Sequence, residues 1–204
     1  MITRRGFCAG VVGALACARD PAAKLTIALL PLLPTPDEAT LAAVERLARE
    51  LLGAVLLRLE PEPLPATAWY APRRRHRAEV IVRVLESRVP SGAARILGVT
   101  AGDISTTQGE ANDWGIFGLG TIGGRAAVAS SHRIARSADD AAHARVMFSR
   151  VCVHELGHAL GSPHCEEPGC LMQDMHGSVA VLDSSSDFCA ATRALLAREG
   201  VRAR

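Results

Sequence analysis

Apolar residues recur along the chain with two different periods, and the changes between them mark out the elements. From Lys24 to Leu30 the run is continuously apolar and strand-like, and Pro31 and Pro34 are expected to end it. Pro36-Asp37-Glu38 then opens a helix, since Leu41, Val44, Leu47 and Leu51 fall at helical spacing and Gly53 follows as a stop. Ala54 to Leu59 reads as a second strand and Pro61-Glu62-Pro63 as a loop. Pro72-Arg73-Arg74-Arg75-His76-Arg77 leads into a helix through Val80, Ile81, Val84 and Leu85, which Pro90-Ser91-Gly92 ends. The basic run reads as a solvated first helical turn. Cations are mildly unfavourable at a helix N-terminus, so some of these arginines are expected to pair with carboxylates elsewhere.

Arg95 to Thr100 predicts a third strand. Trp114 to Leu119 and Ala126 to Ser130, set around Gly118, Gly120, Gly123 and Gly124, predict an antiparallel pair. Ser137-Ala138-Asp139-Asp140 has the form of a capping box ahead of a long helix, in which Met147, Val151, His154 and His158 recur on one face. The helical pattern breaks after Gly161, Ser178 to Ser186 reads as irregular, and Asp187 to Glu199 as a final helix. Strands alternating with helices in the first half predict an α/β (α+β) fold, a mixed sheet backed by helices. A chain of 204 residues suits one domain with a sizeable core.

Composition narrows the partners. Apolar residues make up 49% and charged residues 22%, ordinary for a packed globule, and the net charge of +2 is too small to make nucleic acid or an anionic membrane the main partner. Binding of DNA or RNA through Arg73 to Arg77 is disfavoured because the charge elsewhere is balanced. No stretch reaches the roughly 18 uninterrupted apolar residues of a transmembrane span. Thr3-Arg4-Arg5-Gly6-Phe7 precedes an apolar run to Ala18, with small-x-small sites at Ala14-Leu15-Ala16 and Ala16-Cys17-Ala18. Residues 1–18 therefore read as a twin-arginine-type signal peptide, with export to a periplasmic or secreted location as the expectation. Two other readings are a frayed basic N-terminus on a cytoplasmic protein and a lipid anchor at Cys17; Ala14 is a poor residue three places before a lipidated cysteine.

The chemistry concentrates in residues 154–164, His-Glu-Leu-Gly-His-Ala-Leu-Gly-Ser-Pro-His. Positions i and i+4 lie one above the other on a helix, so His154 and His158 can present imidazoles to one ion. Glu155, one residue further round, can reach a water on that ion without ligating it. Gly161 can take the positive φ that turns the chain and returns His164 as a third ligand. Three protein ligands and an open fourth position form the pattern of a catalytic rather than a structural zinc site. By composition alone the five fixed positions arise in on the order of one in 10⁵ chains of this length. Cys165, Cys170 and Cys189 follow the motif and read as metal or disulfide chemistry. Cys152 stands off the His154–His158 face and reads as a small buried hydrophobe.

The extended histidine motif is that of the metzincin metalloproteases. With Cys165-x4-Cys170-Leu171-Met172 and Phe188-Cys189 after it, the chain resembles the archaemetzincin (archaelysin) family. The strand pair within Val99 to Ile134 and the entry Pro72-Arg73-Arg74 are similar too, and the resemblance covers roughly residues 24–195. It implies a metzincin-like domain over residues 19–204, with an upper part to residue 164 and a C-terminal subdomain from 165. It implies a zinc-dependent peptidase with a peptide or protein substrate, His154, His158 and His164 on the catalytic zinc, Glu155 as general base and Met172 as the Met-turn methionine; Met175 competes for that place. The family's second zinc sits on four cysteines, and here Thr192 stands where the fourth belongs. Either His176 or Asp187 completes that site, or the second zinc is lost and two of the cysteines pair as a disulfide. The departure at Thr192 and the export signal both favour loss. Trp114 to Leu119 is the expected substrate-binding edge strand. A zinc hydrolase of another amide or ester, and a peptide-binding module without turnover, are the competing functional readings.

Overall fold

The computed structural model describes residues 24–178 and 180–201. The predicted leader at residues 1–18, with Arg4, Arg5, Cys8 and Cys17, lies outside the described residues. The chain runs β1 (Thr26–Leu33), α1 (Glu38–Leu52), β2 (Val55–Arg58), β3 (Glu62–Pro63), β4 (Trp69–Tyr70), β5 (Arg75–Arg77), α2 (Ala78–Glu86), β6 (Arg95–Thr100), β7 (Ile104–Gln108), β8 (Ala111–Gly115), β9 (Gly118–Gly120), β10 (Ala126–Ser130), α3 (Ala141–Ala159), α4 (Ala180–Ser184) and α5 (Ala190–Arg198). The main sheet has the order β2-β1-β6-β10-β9, with β3 also on β1; all its pairings are parallel except β10 with β9. A smaller sheet has the order β4-β5-β7-β8. This is the expected mixed sheet backed by helices.

The central strands β1, β6 and β10 of the main sheet are buried on both faces, which is why they read as continuous apolar runs. Ile27, Leu29, Leu97, Val99, Ala127 and Ala129 point into the core under α1 and α3. Their alternates Ala28, Leu30, Leu32, Ile96 and Val128 point into a second core under α2. Helix α1 is bounded as its residues dictate: the Asp37 side chain accepts from the Thr40 N–H at 2.7 Å, and Gly53 adopts φ +60° while its N–H reaches the Ala48 and Arg49 carbonyls.

Four local expectations are corrected. β1 does not stop at Pro31 but continues to Leu33. Carbonyls of Leu25 and Leu29 bond toward β2, that of Thr26 toward β6, so alternation turns Pro31 to the β2 side. There β2 has ended at Arg58 and β3 begins to pair only at Leu32, so the missing N–H leaves no ladder bond unmade. Pro61-Glu62-Pro63 is not wholly loop, because Glu62 and Pro63 form that short β3. The basic run is not the first turn of α2: Ala71–Arg73 is a separate 3-10 turn, Arg75–Arg77 is β5, and α2 starts at Ala78. Its arginines do find carboxylates, Arg75 with Asp103 at 3.2 Å and Asp113 at 3.4 Å, Arg77 with Glu79. Finally, residues 178–186 are not all irregular, since α4 forms within them, tied to α3 by His143 on Asp183 at 2.8 Å. Among the described residues, no helix is long and apolar enough to cross a membrane.

Candidate metal centre and cleft

Helix α3 carries the histidine motif at its buried end. Asp140, rather than Ser137, is its N-cap and accepts from the His143 N–H at 2.7 Å. From Met147 to Ala159 nearly the whole circumference is buried, so this stretch is a core helix and not an amphipathic surface one. Its final carbonyls are satisfied from outside the helix: Arg95 Nε donates to the Ala159 carbonyl at 2.8 Å and the Gly123 N–H to that of His158 at 2.9 Å.

His154 and His158 lie on one face, rings edge to face with centroids 4.7 Å apart. The His154 Nδ1–H donates to the Leu171 carbonyl and the His158 Nδ1–H to the Ser162 carbonyl, each at 2.7 Å. Both bonds fix the tautomer and leave Nε2 with a free lone pair. Burial pushes His154 down to about 3, with the neighbouring His158 adding to the shift, and it lowers His158 as well. Both rings are therefore neutral at pH 7, the form in which imidazole ligates. Gly161 takes φ +97°, and the turn brings the His164 ring to 4.7 Å from His158 and 5.4 Å from His154. One donor atom from each of the three histidines falls within 4.8 Å of the others. Three imidazoles converging in this way, two of them neutral with the unused nitrogen held to a carbonyl, fit a zinc ion with an open fourth position.

Glu155 is 4% exposed at the floor of the cleft. In the metal-free chain burial lifts its carboxyl to about 8, opposed by the Gly120 N–H. Two glycines of β9 make this packing possible. A Cβ on Gly118 would stand 2.5 Å from Glu155 Cγ, and one on Gly120 would stand 2.3 Å from the Glu155 carbonyl oxygen. Below the helix, Met172 is fully buried, and a Cβ on Gly157 would meet its sulfur at 2.5 Å. Met172 thus lies beneath the turn joining the two helical histidines, while Met175 lines the cleft.

The cleft has a volume of about 340 Å³ and runs along residues 114–120, with His154, Glu155, His158 and His164 on its floor and residues 174–177 opposite. The expected edge strand Trp114–Leu119 is divided. Trp114 ends β8 in the smaller sheet, and β9, from Gly118, is the outer strand of the main sheet. Between them the chain crosses from one sheet to the other: the Ile116 N–H bonds the Ile104 carbonyl, and the Phe117 carbonyl accepts from Ser130. Periodicity could not show this, because each half alone continues the same apolar run.

Cys165, Cys170 and Cys189 gather into a second cluster, sulfurs within 4.8 Å of one another, those of Cys165 and Cys189 3.5 Å apart. Thr192 Oγ1 stands 3.3 Å from Cys189 Sγ and 3.4 Å from Cys170 Sγ. Backbone N–H groups of Glu167, Cys189 and Thr192 point at the three sulfurs. Neither proposed completing residue joins them. His176 is exposed beside Asp174, and Asp187 pairs with Arg193, since each has a nearer charged partner. Cys152 is fully buried in the core under α3, and the described cysteines are free thiols.

Sequence reasoning missed Gly118, Gly120 and Asp174 as parts of the site. The glycines were visible as a glycine-rich stretch, but nothing local tied them to Glu155; Asp174 carried no signal.

No family model matches the chain. It is 34% identical over 120 residues to an archaemetzincin of Haloarcula marismortui, an alignment spanning 55% of this chain. The chain spans 66%, just under two thirds, of the length of that relative. The solved structure of the Archaeoglobus fulgidus archaemetzincin superposes with a TM-score of 0.69 at 26% identity, covering 83% of this chain and 99% of that one. The Methanopyrus kandleri archaemetzincin structure shares the fold with a TM-score of 0.72 at 24% identity, over 87% of this chain and 96% of that one.

Proposed function

We propose that the chain, by its similarity to the archaemetzincins, is a member of that family and a zinc-dependent peptidase, cutting peptide bonds in the cleft under β9. The observation that carries this reading is the placing of Glu155 beside three converging imidazoles on the floor of a cleft lined by an outer strand. His154, His158 and His164 would hold the zinc ion, which would supply Lewis acidity and acidify a water enough to react near pH 7. Glu155 holds the proton that the attacking water gives up, then releases it to the leaving amine. Its burial keeps that carboxylate clear of bulk water. β9 offers a backbone edge to an extended peptide, and the apolar side chains of Trp114, Ile122 and Met175 border the cleft.

The test is digestion of a complex peptide library by zinc-loaded protein and by Glu155→Ala, read by mass spectrometry. Cuts that need Glu155 establish the peptidase. Identical peptide profiles, with zinc confirmed on the histidines, would point to another amide or ester substrate or to a binding module without turnover.

We further propose that the chain carries one zinc. Three thiols and a threonine hydroxyl fall short of the four Cys or His donors that a structural zinc takes. Thr192 already occupies the fourth corner, in contact with two of the sulfurs. Thr192→Cys should therefore raise the zinc content from one to two per chain by elemental analysis. Two zinc ions in the unaltered protein would overturn the single-zinc reading.

A further inference from the structure

The three histidines are not held equally. His154 and His158 are buried and each is tied to a carbonyl, whereas the His164 side chain is 47% exposed. What faces its Nδ1 is the Asp174 carboxylate, Oδ2 at 3.5 Å. Asp174 is itself fixed: its Oδ1 accepts the His176 N–H at 2.8 Å, closing a turn in which His176 takes φ +43°. A half-exposed carboxyl group is an anion at neutral pH on its ordinary value alone.

We propose that Asp174 is the positioning residue for the third metal ligand. With Oδ1 committed to the His176 N–H, Oδ2, which lies 3.5 Å from His164 Nδ1 and 3.6 Å from the Nδ1 of the more exposed His176, is the atom placed to accept from the His164 Nδ1–H. Accepting there keeps the proton on Nδ1 and the lone pair on Nε2, turns the ring toward its two partners, and adds a negative charge beside a cation site. A half-exposed ring has less packing to hold its orientation than the buried His154 and His158. The inference rests on the zinc site proposed above.

Asn at this position separates the roles. Its Oδ1 can still close the turn, but its amide presents N–H donors where Oδ2 stood, favouring a lone pair on His164 Nδ1 and hence the wrong tautomer. The experiment is the apparent zinc Kd of the full chain by competition with a chromophoric chelator, with the Tm of the metal-free protein measured alongside. Asp174→Asn should raise the Kd about 10- to 100-fold while the metal-free Tm stays within a degree or so of the parent. A Kd within twofold of the parent would overturn the inference. If Asp174→Asn lowers the metal-free Tm, Asp174→Glu decides: recovered affinity in this charged variant supports a positioning role, and affinity as weak as that of Asn overturns it. Failure of the unaltered protein to bind zinc, or binding undiminished in His154→Ala, overturns the peptidase reading and this inference with it.

Discussion

Glu155→Gln should lower kcat/KM by about 10²–10⁴-fold while the zinc content stays at the parent value. Glutamine matches the shape of the buried side chain, so the packing against Gly118 and Gly120 is retained. It cannot take up a proton from water, so the step assigned to Glu155 is lost while binding groups on the histidines are untouched. The histidines keep their tautomers through the Leu171 and Ser162 carbonyls, which the substitution does not reach. Loss of zinc together with activity would make Glu155 a structural or ligating group. Activity within a few fold of the parent would remove it from the mechanism.

Gly120→Ala should be the most damaging single methyl group in the cleft. Its Cβ would stand 2.3 Å from the Glu155 carbonyl oxygen and 3.0 Å from His158 Cβ. A backbone carbonyl inside a helix cannot rotate away, so β9 must move off α3. Forced overpacking of this kind costs about 1–3 kcal/mol, and each kcal/mol lowers Tm by about 2–4 °C in a domain of this size. Moving the outer strand relative to Glu155 also misaligns any peptide paired with it, and a displacement near 1 Å can cost about 10²-fold in rate. Gly157→Ala is the control. Its Cβ also meets an atom at 2.5 Å, but that atom is the sulfur at the flexible end of Met172. The methionine can shift, and alanine favours the helix by up to about 1 kcal/mol. Thermal unfolding and kcat/KM of the two variants should therefore differ sharply. Equal behaviour would mean that β9 is not held against the helix as described.

The histidine motif was legible because its geometry is local. Helical periodicity alone places His154 above His158, and Gly161 alone permits the turn toward His164. Capping at Asp37 and Gly53 and the run of β6 from Arg95 to Thr100 were equally local. The errors share one cause. Pro31 lies inside a strand because of where two other strands end and begin, the arginines of β5 answer to Asp103 and Asp113, and residues 114–120 divide between two sheets. Each depends on partners distant in sequence.

By itself, then, the sequence determined the alternating elements, the three imidazoles and the neighbouring carboxylate, since spacing on one helix and one turn suffices for these. Tertiary structure decided the rest. It pressed two glycines of β9 onto Glu155, seated Met172 under Gly157, put Thr192 among three sulfurs, and set Asp174 opposite His164. Those contacts arise where separate segments are packed together, and packing across a fold leaves no period in the chain to be read.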